Sequence, residues 1–120
     1  MKLNTYFKVA KQLSYKSDHR FHQHGSCIKK GKSVIGFGWN QLKTHRKAPS
    51  FFHSIHAEFH ATLGLRPAEL AGAEIYVYRE HKNGNLANSK PCNNCLLMIR
   101  SLGIKKVWFT IENGISNIKL

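Results

Sequence analysis

His56-Ala57-Glu58 and, about thirty residues further on, Pro91-Cys92-Asn93-Asn94-Cys95 are the two stretches on which the reading of this chain turns. One His and two Cys are three ligands of the kind that zinc takes. A structural zinc site usually closes with a fourth protein ligand, whereas three leave a position open to water. Zinc lowers the pKa of such a water to about 7, so hydroxide is available at neutral pH. Two thiolates and a neutral imidazole cancel the charge of the ion. The water is then more basic than in an all-His site, and a proton acceptor becomes more necessary. Glu58 stands two residues after the His, close enough to handle that proton, and is too hard a ligand to be needed beside thiolates. C-x-x-C alone fits a redox pair or half a zinc knuckle, and H-A-E alone is a common helix start. In this order and at this separation, they read as a catalytic Zn²⁺ centre with His56, Cys92 and Cys95 as ligands and Glu58 as general acid and base.

Both stretches fall where the chain enters a helix. Helix N-termini carry partial positive charge, which is expected to favour thiolate over thiol at Cys92 and Cys95. His56 to about Leu65 is read as one helix, with Ser54 as its N-cap and Gly64 near its end. Pro91 is expected to open the other, which runs to about Leu102 and stops at Gly103. Working outward, Tyr6, Phe7, Val9, Ala10 and Leu13 recur at helical spacing from Thr5 to about Tyr15. Ser26 to Lys30 and Ser33 to Trp39 read as strands joined at Lys30-Gly31-Lys32. Ala73 to Arg79 alternates, with Ile75 and Val77 on one face and Tyr76 and Tyr78 on the other. Ile104 to Thr110 is an apolar strand, and Asn113-Gly114 is a hairpin signal that folds Ile115 to Leu120 back against it. The order is α-β-β-α-β-α-β-β, with the two ligand-bearing helices on one sheet face.

The chain has 120 residues, of which 42% are hydrophobic, and this predicts one globular domain over 1–120. No apolar run approaches the ~20 residues of a membrane span, and the N-terminus shows no signal-peptide pattern, so a cytoplasmic location is expected. Three cysteines with one C-x-x-C make a poor disulfide framework. Cys27 is read as a small buried hydrophobe. Nineteen Lys and Arg against six acids give a net charge of +13, which implies an anionic partner: a phosphorylated small molecule or a nucleic acid.

H-x-E followed by P-C-x-x-C resembles the zinc-dependent nucleobase deaminases, and the chain is similar to the cytidine and deoxycytidylate deaminase superfamily from Gly25 to Thr110. The likeness is carried by Ile28 to Asn40, His56-Ala57-Glu58, Ala73 to Val77, Pro91 to Cys95 and Gly103 to Val107. It looks most like the short deaminases carried by phages. The resemblance implies an α/β, three-layer, cytidine deaminase-like fold with a mixed five-stranded sheet. It also implies a hydrolase acting on C–N bonds of cyclic amidines, with His56, Cys92 and Cys95 on zinc and Glu58 shuttling protons. An Asn ends the second strand in the family and contacts sugar or base edge. Asn40 matches it, and Ala57 is taken with it as a substrate contact. Polynucleotide and deoxycytidylate deaminases usually cross over by a helix to a parallel fifth strand. Glu112-Asn113-Gly114 allows only an antiparallel hairpin, as in the free-nucleoside enzymes, yet Cys95-Leu96-Leu97 lacks the Cys-Arg-Gln ending common in those.

The remaining site residues lie between Asn40 and His56, in a loop long enough to be functional. Phe51, Phe52 and His53 can stack on a base. Lys43, His45, Arg46 and Lys47 form the preferred phosphate site. His19, His22 and His24 are read as a phosphate contact or a solvated loop, and Trp39 and Phe37 as candidates for the core. The expected substrate is a cytosine-containing nucleoside or nucleotide. The alternative is cytosine or adenine in single-stranded DNA or RNA, and the remote alternative is a non-catalytic zinc-containing nucleic-acid-binding module. A homo-oligomer without membrane contact is the expected assembly.

Overall fold

In the computed structural model, which describes residues 3–19, 22–42 and 56–120, the first element is α1 (Thr5–Ser14). The Asn4 side chain caps it by accepting the Phe7 amide at 2.8 Å. Its buried residues Phe7, Ala10, Leu13 and Ser14 form one stripe at helical period. There follow β1 (His24–Lys30), β2 (Ser33–Trp39), α2 (Ala57–Thr62), α3 (Pro67–Leu70), β3 (Glu74–Arg79), α4 (Asn93–Ser101), β4 (Lys106–Ile111) and β5 (Gly114–Lys119). The expected order holds, with α3 added. Its signals are Pro67 at the first helical position and the Glu69 carboxylate, which accepts the Arg66 amide at 2.9 Å.

The sheet runs β2-β1-β3-β4-β5. β3 and β4 are parallel, because α4 carries the chain back between them. The other pairs are antiparallel. The C-terminal hairpin forms where the Asn-Gly signal lies, but shifted by one residue. Gly114 already pairs with Ile111, so Glu112 and Asn113 make the turn, and Asn113 takes the left-handed conformation at φ 60°.

Alternation along β3 sorts the core into two layers. Ile75 and Val77 join Ile28, Val107 and Phe109 against Ala61 of α2, Leu70 of α3 and Ile99 of α4. Tyr76 and Tyr78 face the other way, against Phe7, Ala10 and Leu13 of α1. Cys27 lies buried in this second layer, as expected. Its thiol donates to the Tyr6 carbonyl at 3.3 Å, and burial pushes its pKa up to about 12. Trp39 packs partly buried against the α1 layer. Phe37 does not reach the core: it sits on the outermost strand and is 52% exposed.

Candidate active site

α2 has six residues, too few to persist by backbone hydrogen bonding alone. The sheet holds it. β2 passes under it at Gly36 and Gly38, where a Cβ would strike the backbone of Ala61 and Ala57. Ser26 Oγ donates to the Ala57 carbonyl at 2.7 Å. The Trp39 amide donates to His60 Nδ1 at 3.1 Å, and the two rings meet edge-on with centroids 4.5 Å apart. The helix is shorter than the sequence pattern predicts at both ends. His56 is its cap, with extended backbone, and the expected cap Ser54 lies outside the described residues. At the far end Leu63 is extended and Gly64 turns at φ 82°.

The second cluster reaches the site differently. Ser89 lies between the ends of the parallel strands. Its Oγ donates to the Val77 carbonyl at 2.9 Å and accepts the Thr110 amide at 2.8 Å. Its own amide donates to the Thr110 carbonyl at 2.8 Å. Thr110 Oγ1 in turn donates to the Ala87 carbonyl at 2.7 Å. The chain leaves this knot through Lys90 and Pro91, and Cys92, not Pro91, caps α4. Cys92 Sγ accepts the Cys95 amide at 3.4 Å.

The two platforms bring His56, Cys92 and Cys95 together, with one ligand atom from each lying within 4.8 Å of the others. His56 Nδ1 and Cys95 Sγ are 3.2 Å apart. A tetrahedral zinc with Zn–S of about 2.3 Å and Zn–N of about 2.0 Å spaces such donors by about 3.5 Å, so the set can close on one ion. Burial holds the His56 imidazole below its usual pKa, in the neutral form that a metal takes. At Cys95 the expectation of a helix-favoured thiolate meets an opposing effect. Burial, with the Glu58 carboxyl adding to it, pushes the thiol well above its usual range. A thiolate fully buried here requires a cation beside it, which is what a zinc site supplies. Glu58, 5% exposed, is pushed up to about 7 by burial, against a hydrogen bond from the Cys95 thiol that lowers it.

A cavity of about 260 Å³ opens on these groups, somewhat below the roughly 300–1,000 Å³ of most small-ligand pockets. Its lining includes His56, Glu58 and Cys92, together with Asn40 and Ala57, both expected as substrate contacts. Asn40 does more than face the cavity. Its Oδ1 accepts the His24 amide at 2.8 Å and its Nδ2 donates to the His22 carbonyl, so it ties down the segment before β1. That segment contributes His19 and His22 to the same cavity, the first residue of β1 contributes His24, and the loop before α4 contributes Lys90. The sequence offered only a weak signal for them: three histidines just before a strand, and a lysine next to Pro91. Lys43, Arg46, Lys47, Phe51 and Phe52 lie outside the described residues.

A layered α/β fold that gathers a His-Cys-Cys donor set, with His56, Cys92 and a buried carboxyl opening on one cavity, suits a zinc-dependent hydrolase. Residues 1–111 match the family described as the cytidine and deoxycytidylate deaminase zinc-binding region, and the chain belongs to this family. It is accordingly a hydrolytic deaminase, and its cofactor is Zn²⁺. In fold it is similar to a cytidine deaminase from Burkholderia pseudomallei, with 24% identity, TM-score 0.68, and 99% of this chain and 93% of that one covered. It is also similar to the dCMP deaminase of cyanophage S-TIM5 in apo form, with 24% identity, TM-score 0.61, and 87% and 78% covered. The same phage protein solved with dCMP and dUMP gives 21% identity, TM-score 0.61, and 90% and 83% covered. No curated protein matches the chain.

Proposed function

We propose that the chain converts cytosine to uracil in a nucleoside or nucleotide, with His56, Cys92 and Cys95 holding the zinc and Glu58 carrying protons. The observation behind this reading is the Glu58 carboxyl, which is buried and shares one cavity with His56 and Cys92. A ligand set without a proton carrier would serve structure alone; a carboxyl at this place serves chemistry. When bound, the zinc supplies Lewis acidity that brings hydroxide within reach of neutral pH. Glu58 takes one proton from the attacking water and gives it to ring N3 as oxygen bonds to C4. It takes the second proton from that oxygen and gives it to the exocyclic amine. The C4–N4 bond then breaks, ammonia leaves and the C4 carbonyl remains.

The dCMP and dUMP bound by the phage protein favour a pyrimidine nucleotide. A second reading, deamination within single-stranded DNA or RNA, draws on the net charge of +13. The three thiols are free, which suits a reducing cytoplasm. Among the described residues no helix is long and apolar enough to cross a membrane. A side-by-side assay of zinc-loaded protein on cytidine, dCMP, adenosine and single-stranded DNA tests the proposal. Uracil product from cytidine or dCMP is expected. Turnover of adenosine alone, or of none of the four, contradicts it.

A further inference from the structure

We propose that the α1 side of the sheet holds a single strand of nucleic acid, on a row of lysines beside an aromatic stack, at the opposite ends of the strands from the cavity. The proposal goes beyond the reaction and does not rest on the choice of substrate. It starts from strand register. Lys29 pairs with Glu74, Glu74 with Lys106, and Lys106 with Lys119. Residues directly opposite one another share a face, so the four cross β1, β3, β4 and β5 as one row of about 14 Å. Lys29 Nζ lies over the Tyr6 ring of α1, 5.0 Å from its centroid, which places the row on the α1 side. The cavity is at the other ends of these strands, where His24 opens β1 and pairs with Arg79 at the close of β3.

Glu74 is the one acid in the row, and both its oxygens are engaged. Oε2 accepts from Lys29 Nζ at 3.0 Å and Oε1 from Trp108 Nε1 at 3.0 Å. Lys105, just before β4, adds positive potential at the same carboxylate. Among the described residues no carboxylate pairs with Lys106 or Lys119. Three rings stack beside these cations. Tyr6 lies on Tyr76 with centroids 5.2 Å apart, and Tyr76 on Trp108 at 5.8 Å with 6° between planes. α1 packs mainly on β1, β2 and β3, so Trp108 is the last ring before the β5 side of the face, where Asn117 and Lys119 are exposed. Lys106 Nζ sits 4.2 Å from the Trp108 centroid. Cations interleaved with aromatic faces suit a single strand, which lays phosphates on the lysines and a base on the ring. On binding, the Lys106 ammonium passes to a phosphate and the indole takes the base. One phosphate cannot use a row of this length, and a duplex hides its base faces. Trp108 is tied at Nε1 and held in the stack, so it offers a face and not an anchor for lipid.

The test is fluorescence anisotropy on the zinc-loaded full chain with labelled oligo(dT) of about 16 nucleotides, which carries neither cytosine nor adenine. We expect log affinity to fall with log salt at a slope of at least about 2, the mark of three or more phosphates. Excess dCMP should leave the strand bound, and a duplex of equal length should bind more weakly. Lys106→Gln with Lys119→Gln should weaken binding at least about ten-fold and flatten the slope by about 1.4, with dCMP turnover kept. Lys106→Arg with Lys119→Arg should bind as the wild type does, since the charge remains. Trp108→Leu should lose at least about five-fold at an unchanged slope. Removing the same charge elsewhere, by Lys16→Gln with Lys82→Gln, should cost less than about three-fold. Equal losses in the two Gln pairs overturn the proposal, since binding then follows net charge alone. So do displacement by dCMP, tighter binding of the duplex, loss of binding in the Arg pair, or capture by phosphatidylserine vesicles without binding of oligo(dT). Strand binding by a wild type that turns over neither cytidine nor dCMP would remove the deaminase reading and leave this one.

Discussion

The two platforms of the site are built by different physics. The His56–Glu58 platform rests on steric fit: a six-residue helix lies directly on β2 because Gly36 and Gly38 leave no side chain between them. The Cys92–Cys95 platform rests on polar satisfaction: Ser89 and Thr110, 1% and 0% exposed, saturate one another and the strand ends, and the chain leaves from there. A close-packed contact has no slack, since an added methyl must push backbone. A hydrogen-bonded knot fails more gradually, one partner at a time. The contrast teaches that neither cluster owes its position to its own helix, and that the residues governing the metal site lie in strands and a loop outside the motif.

Gly38→Ala is the sharpest way to break the first platform. The new Cβ meets the Ala57 carbonyl and the Ala61 amide, so overpacking of about 3 kcal/mol is expected. Thermal unfolding and zinc titration should show both stability and zinc affinity reduced. Wild-type values for both would mean that α2 has room to move. Ser89→Ala tests the second platform. It strands the buried Thr110 amide and should cost about 1–3 kcal/mol, measured by urea unfolding, with a smaller loss of zinc affinity than Gly38→Ala. A larger loss would reverse the ranking of the two platforms.

An effect confined to acid pH sharpens the comparison further. His24, tied to β2 by Asn40, is held at about 4 by burial, with Arg79 contributing. The unfolded chain protonates this imidazole near pH 6.5 and the folded one does not. Its contribution to stability is therefore complete above about 6.5 and is lost as pH falls from there to about 4. His24→Gln should remove a slope of up to about 1.4 kcal/mol per pH unit in that window. Parallel curves for variant and wild type would show that the folded ring protonates as freely as the unfolded one.

The strands, the first helix and the ligand set were readable because each rests on a local pattern. Tyr76 and Tyr78 against Ile75 and Val77 give the faces of β3, and His-x-Glu with Cys-x-x-Cys gives the donors. What was not readable depends on distant partners. Nothing local says that Gly38 must be Gly for the sake of Ala57, nor that Ser26 reaches Ala57 across 31 positions. The short α3 carried its Pro67 and Glu69 signals in plain view, but too few residues for a hydrophobic period. His19, His22 and His24 read as loop, although His24 opens β1, because a histidine becomes a pocket residue only when a strand end such as Asn40 fixes it there. The field at the start of α4 was legible, and its effect on Cys95 was not, because burial is set by the whole fold.

The central claim is that Glu58 moves the protons while His56, Cys92 and Cys95 hold the metal. The direct measurement is deamination by zinc-loaded Glu58→Gln, with zinc content and thermal unfolding recorded on the same preparation. The amide is nearly isosteric but cannot take and return a proton. We expect zinc and fold to match the wild type and the rate to fall at least about 100-fold. Retention of more than about a hundredth of the wild-type rate, with zinc bound, would contradict the account.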